Sequence, residues 1–320
     1  MSAGAAAIAT VRGASFSGLA FLLGGLVPVA GGLAMMLAPL PILRDSLGMP
    51  GAGWRLLAQS LLAALIVTAG AGVTPAMAYL ATAGVAVLAM GYLLGKRAPF
   101  EVIVLVATLL VLSAATLAAM AQAGGPAALK RTIGEAVSAG IDQGAQLSSR
   151  AGLGLQPGSG VSASLAAALT ELAPALAAIS VGFGVAANLA LFWIWGGRER
   201  LDYPLIGDLA RWSLPDSVIW LFVAAGFGLF APWKWVGSAA RNAFLCLSAA
   251  YFCQGLAIVV FHLKKAGLSR FWRLPIYAVV VLQPVLAGIV CATGLFDLWI
   301  DFRRIRRRPQ QDAGRPEDFF

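Results

Sequence analysis

The stretch VIVLVATLLVLSAATLAAM, residues 102–120, decides the fold. It carries no charge, and as a helix rising about 1.5 Å per residue it nearly crosses a hydrocarbon core about 30 Å thick. In lipid, backbone polar groups are satisfied only in helices or in closed barrels. A barrel strand alternates apolar and polar positions over roughly ten residues. Here Val, Ile and Leu occupy odd and even positions alike, so the stretch is a helix.

Working outward, comparable runs lie at residues 14–38, 54–72, 75–94, 100–122, 172–195, 217–230, 238–263 and 274–300. Pro39-Leu40-Pro41 closes the first, because proline lacks the N–H and clashes with the preceding turn. Pro75 opens the third, where a missing donor costs nothing. The composition agrees: 60% hydrophobic and 12% charged residues, against about 25% charged in soluble domains. The expected fold is all-α, a polytopic transmembrane helical bundle of about eight helices. One domain covers 1–302, with a polar, amphipathic connection at 123–162, and 303–320 forms a basic tail expected to be disordered. The N-terminal run exceeds a signal peptide's apolar core and reads as an uncleaved first span.

Eight spans put both termini on one side. Lys and Arg in alternate connections then number twelve on the side of the termini and eleven opposite, so the positive-inside bias hardly discriminates. The arginines at 303, 304, 306, 307 and 308 abut the last span and favour cytoplasmic termini. They read as a topogenic signal or as a patch on anionic lipid; no nucleic-acid partner is expected. Within the long connection, Leu129, Ile133, Val137 and Ile141 recur at helical spacing opposite Lys130, Glu135 and Asp142. That helix is either a packed connector or a lid.

Catalytic signatures are missing. His262 is the one histidine, which excludes an H-E-x-x-H zinc site, and no P-loop pattern occurs. Cys246, Cys253 and Cys291 form no C-x-x-C pair. No metal, no cofactor and no enzymatic activity are expected. In the first span Ala20, Gly24, Gly31, Ala34 and Ala38 share a helical face, the small-residue surface by which helices approach closely in lipid. Polar residues within spans mark function or interhelical bonding. On the seventh span Tyr251 falls in a sector with Arg241, Ser248 and His262, and Gln254 lies at its margin. On the last, Asp297, Asp301 and Arg304 form a second stripe. Asp297 sits a turn inside the apolar run and requires a partner. The ten residues 264–273 permit an antiparallel hairpin of these two spans, which would join Tyr251, Gln254, Asp297, Asp301 and Arg304 in a polar pocket or a structural polar cluster.

The same residues carry a family resemblance. YFCQGLAIVVFHLKK (251–265), GLFDLWIDFRR (294–304), WSLPDSVIWLF (212–222), Asn242 and Pro39-Leu40-Pro41 together resemble the YybS-like predicted membrane proteins of bacteria. Those in turn look distantly similar to the S components of energy-coupling-factor transporters. The resemblance implies a bacterial inner-membrane subunit that binds or transports a small solute, in contact with the lipid bilayer and with membrane partner subunits. The alternative is a non-transporting scaffold that recruits partners.

Overall fold

The computed structural model describes residues 3–26, 28–47, 52–150 and 160–303. Among the described residues all regular structure is helical, and the chain forms two compact units, Met1–Ile206 and Gly207–Phe320. The first contains α1 (Ala3–Leu26), α2 (Pro28–Met36), α3 (Pro39–Ser46), α4 (Ala52–Ala71), α5 (Val73–Tyr79), α6 (Val85–Gly95), α7 (Phe100–Ala123), α8 (Pro126–Arg150), α9 (Gly160–Phe192) and the short α10 (Arg198–Arg200). A π turn, Leu80–Gly84, joins α5 to α6. The second contains α11 (Val218–Gly228), α12 (Lys234–Lys265), α13 (Arg270–Leu282) and α14 (Pro284–Ile300).

Five helices among the described residues are long and apolar enough to cross a membrane, or six if the bent pair α13–α14 counts as one. About eight had been expected; the runs at both ends of the chain break, and the run 217–230 forms only the 11-residue α11. The run 14–38 does not form one helix. It stops at Leu26, and Pro28 begins a second helix that folds back on the first. A Cβ on Gly31 would lie 2.4 Å from the Leu23 carbonyl oxygen, and one on Gly24 would lie 2.7 Å from the Met35 Cβ. The small residues therefore close a hairpin within the run. Asn188 on α9 fixes its returning arm by donating to the Met36 carbonyl at 2.8 Å.

Because α2 and α3 return, residue 45 reaches the level of residue 12, where Arg12 pairs with Asp45 at 2.8 Å. From there α4 runs parallel to α1: Gln59 donates to the Thr10 carbonyl, Gly18 abuts Ala63 and Gly70 abuts Leu22. Tyr79 is fully buried, bonded to Ser17 at 2.7 Å and edge-on to Phe21. On α7, Ile103, Ala107 and Val111 face this core. Leu105, Leu109 and Leu117 are 60%, 55% and 68% exposed. A helix apolar on its outward face as well as its inward one needs lipid outside. Beyond α7, Gly124 and Gly125 take positive φ to turn the chain into α8. The Leu129, Ile133, Val137 and Ile141 face is half-buried, and α8 packs along the first part of α9, with Gly134 against Thr170.

In the second unit α11 and α12 form an antiparallel hairpin, with Gly228 against Ala240 and Phe222 against Tyr251. The expected antiparallel pairing of the last two spans is overturned. Cys291 donates to the Ser248 carbonyl and Gln254 meets Asp297, both pairs separated by 43 residues. A constant offset means that α12 and α14 run parallel. The 274–300 run breaks where Gln283 turns extended and Pro284 starts a new helix, bending the pair by 98°.

Candidate functional site

In the second unit the polar residues build one buried ion pair. Gly255 and Gly294 let α12 and α14 touch backbone to backbone: a Cβ on either would sit 1.9 or 2.0 Å from the facing carbonyl oxygen. That proximity brings Gln254 to Asp297, its Nε2 donating to Oδ2 at 3.5 Å. Asp301 then ends α14 in the left-handed region, with φ +46°, a conformation Asp tolerates better than most residues. The reversed chain presents the Phe302 N–H to Asp297 Oδ1 at 3.0 Å and the Arg303 guanidinium to Oδ2 at 2.7 Å. Both side chains of this pair are 3% exposed. Arg303 also donates to the carbonyls of Ala210 and Trp212, and Gln254 accepts from the Leu214 N–H.

Of the five residues singled out from sequence, Gln254 and Asp297 are brought together and Asp301 caps the helix beneath them. Tyr251 is buried, but its ring packs on Phe222. Arg304 lies outside the described residues. Arg303 takes the place of partner because helical spacing stops applying at Ile300, one residue before the left-handed turn. Trp212 Nε1 and Arg303 Nε are buried without a hydrogen-bond partner among the described residues. Nearby at the surface, Lys264 donates to Asp208 at 2.8 Å, and that bond holds the Asp208 carboxyl below its ordinary range.

The first unit carries a cleft of about 490 Å³, within the roughly 300–1,000 Å³ of small-molecule sites. Ala20 and Ala34, from the small-residue face, line it where the α1–α2 hairpin opens. Gly24 and Gly31 make the crossing, and Ala38 is fully buried. Arg12, Arg44 and Asp45 supply its charge; Phe16, Leu37, Leu40, Pro41 and Trp195 supply its apolar wall. Asp45 is 7% exposed and holds Arg12 through both guanidinium Nε and Nη2, at 3.2 and 2.8 Å. Beside it Ser46 donates to Gln59. Trp195 sits in a break of the α9 helix, Trp193–Gly197, where Gly196 adopts φ +111°. Arg44 is exposed and makes no ion pair among the described residues.

Sequence reading missed this cleft because Arg12 and Arg44 stood on opposite sides of a supposed span. The available signal was Pro28 inside that span, together with two Gly pairs, Gly24-Gly25 and Gly31-Gly32. No group of three or more metal-ligating side chains occurs among the described residues. No curated protein and no solved structure matches the chain. Residues 16–298 match the family described as "Predicted membrane protein (DUF2232)", and the chain belongs to that family.

Proposed function

We propose that this chain is a non-enzymatic inner-membrane subunit that binds a small solute, in the manner its likeness to transporter S components implies. The observation that carries the reading is the cleft of about 490 Å³ lined by two arginines, an aspartate and two aromatic side chains. The five or six candidate spans among the described residues also sit close to the six usual for S components. Without a P-loop, the chain would depend on partner subunits for any energy coupling.

Orientation follows from charge within each unit taken by itself. In the first, Arg12, Arg44, Arg55, Lys96, Arg97, Arg198 and Arg200 belong to the end where α1 begins and α9 finishes. Only Lys130, Arg131 and Arg150 belong to the other. In the second, Arg211, Lys264, Lys265, Arg270, Arg273 and Arg303 belong to the end where α12 and α14 finish, against Lys234 and Arg241. The positive-inside bias then makes each basic end cytoplasmic, and the cleft opens at that end of its unit.

Extraction of the protein purified in neutral detergent, followed by mass spectrometry of its small-molecule content, tests the reading. A single compound retained in stoichiometric amount, and lost when Ala34→Phe fills the cleft, is the expected result. Protein that carries no such compound, or carries it equally in the filled variant, would defeat the proposal. The runner-up, a non-transporting scaffold, draws on the open groove between α8 and α9, about 750 Å³, where Lys130, Arg131, Glu135 and Glu171 border an alanine-lined surface. A partner captured by that hairpin, with an empty cleft, would favour it.

A further inference from the structure

We propose that the cleft of the first unit takes an anion joined to an apolar body, a phosphate or carboxylate headgroup on a chain or ring. This rests on the solute-binding reading above and names its ligand class. The charge of the lining leads to it. Asp45 is spent on Arg12, with both oxygens engaged at 2.8 and 3.2 Å. The two arginines and one carboxylate therefore leave one positive charge over, and it resides on Arg44, which makes no ion pair among the described residues. A guanidinium presents paired donors in a plane, a geometry matched to carboxylate and phosphate oxygens.

The remaining lining fixes the other half of the ligand. Phe16 and Trp195 are 60% and 53% exposed, and they flank the arginines together with Leu37 and Leu40. Trp195 is held there by a backbone break, with φ +111° at the following Gly196. Apolar surface beside a lone guanidinium suits an amphiphile and does not suit a small hydrated ion. Two sources share this chemistry, a lipid headgroup and a water-soluble organic anion.

The test uses the full-length protein in dodecyl maltoside, which already supplies neutral dodecyl tails. Dodecyl phosphate and phenyl phosphate are titrated separately and followed by thermal unfolding and by calorimetry. Saturable stabilisation by at least one of them is expected, with affinity weakened roughly tenfold or more in Arg44→Gln. Arg55→Gln, at the same end but outside the cleft lining, should leave binding unchanged. Binding of dodecyl phosphate alone identifies a lipid headgroup, and competition by phenyl phosphate identifies a soluble anion; either supports the proposal. Absence of saturable binding by both probes, or equal binding by wild type and Arg44→Gln, overturns it. A neutral or cationic compound retained in the cleft would overturn the anion assignment while the solute-binding reading stood.

Discussion

Removing one partner of the Asp297–Arg303 pair should cost far more than removing both. The two side chains are 3% exposed and meet at 2.7 Å. In Asp297→Asn the guanidinium stays buried without a counter-charge, left with neutral acceptors such as the carbonyls of Ala210 and Trp212. In Arg303→Met the carboxylate stays buried with the Phe302 N–H and the Gln254 amide. Breaking a buried pair from one side costs about 3–5 kcal/mol, whereas replacing both partners by uncharged groups is often near neutral. At roughly 4 °C per kcal/mol for a unit the size of Gly207–Phe320, each single variant should lower the unfolding midpoint of the second unit by on the order of 15 °C. The double variant Asp297→Asn/Arg303→Met should recover most of that loss. Thermal unfolding of purified protein, followed by near-ultraviolet circular dichroism, reads all four corners of the cycle. Additive losses in the double variant, or single variants within a degree of wild type, would refute the reasoning.

Two further outcomes follow from the close crossing and from the folding back of the chain ends. Gly294→Ala puts a Cβ 2.0 Å from the Tyr251 carbonyl oxygen, so α12 and α14 must part by about 1.4 Å to reach the 3.4 Å of ordinary contact. Overpacking of that kind costs about 1–3 kcal/mol, while Gly288→Ala, with open space at its Cβ, should be silent in the same unfolding assay. With the three native cysteines replaced by alanine, single cysteines at Lys265 and Gln311 should label from the same side of the membrane. An N-terminal epitope and a cysteine at Gln143 should report opposite sides. Eight straight spans would reverse both results.

Helicity and membrane class were legible because each rests on local composition: an uncharged apolar run such as 102–120 leaves the backbone no alternative in lipid. The need of Asp297 for a partner was legible for the same reason, since burying an unpaired carboxylate is costly wherever the helix packs. The identity of the partner was not. Choosing Arg304 extended helical spacing past Ile300, whereas the left-handed Asp301 turns Arg303 back toward the helix it has just left. Gly255 and Gly294 read as ordinary small residues, because sequence alone does not say which glycine faces a backbone 2 Å away and which faces open space.

The near-equal division of basic residues, twelve against eleven, has the same origin. A count over alternate connections assumes that every apolar run crosses as one helix, and the runs 14–38 and 274–300 do not. Once α2 and α3 return the chain to the level of Arg12, that arginine joins Arg44, Arg55, Lys96 and Arg97. Once α13 carries the chain back so that α14 runs parallel to α12, Arg303 joins Lys264 and Lys265. Both regroupings move charge toward one end of their own unit, and neither moves any away. Independent breaks at Pro28 and at Gln283–Pro284 would have no reason to sharpen the same bias unless the bias were real. The charge distribution thus supports the two fold-backs, and the first of them, through α2 and α3, brings Arg12 and Arg44 into one cleft.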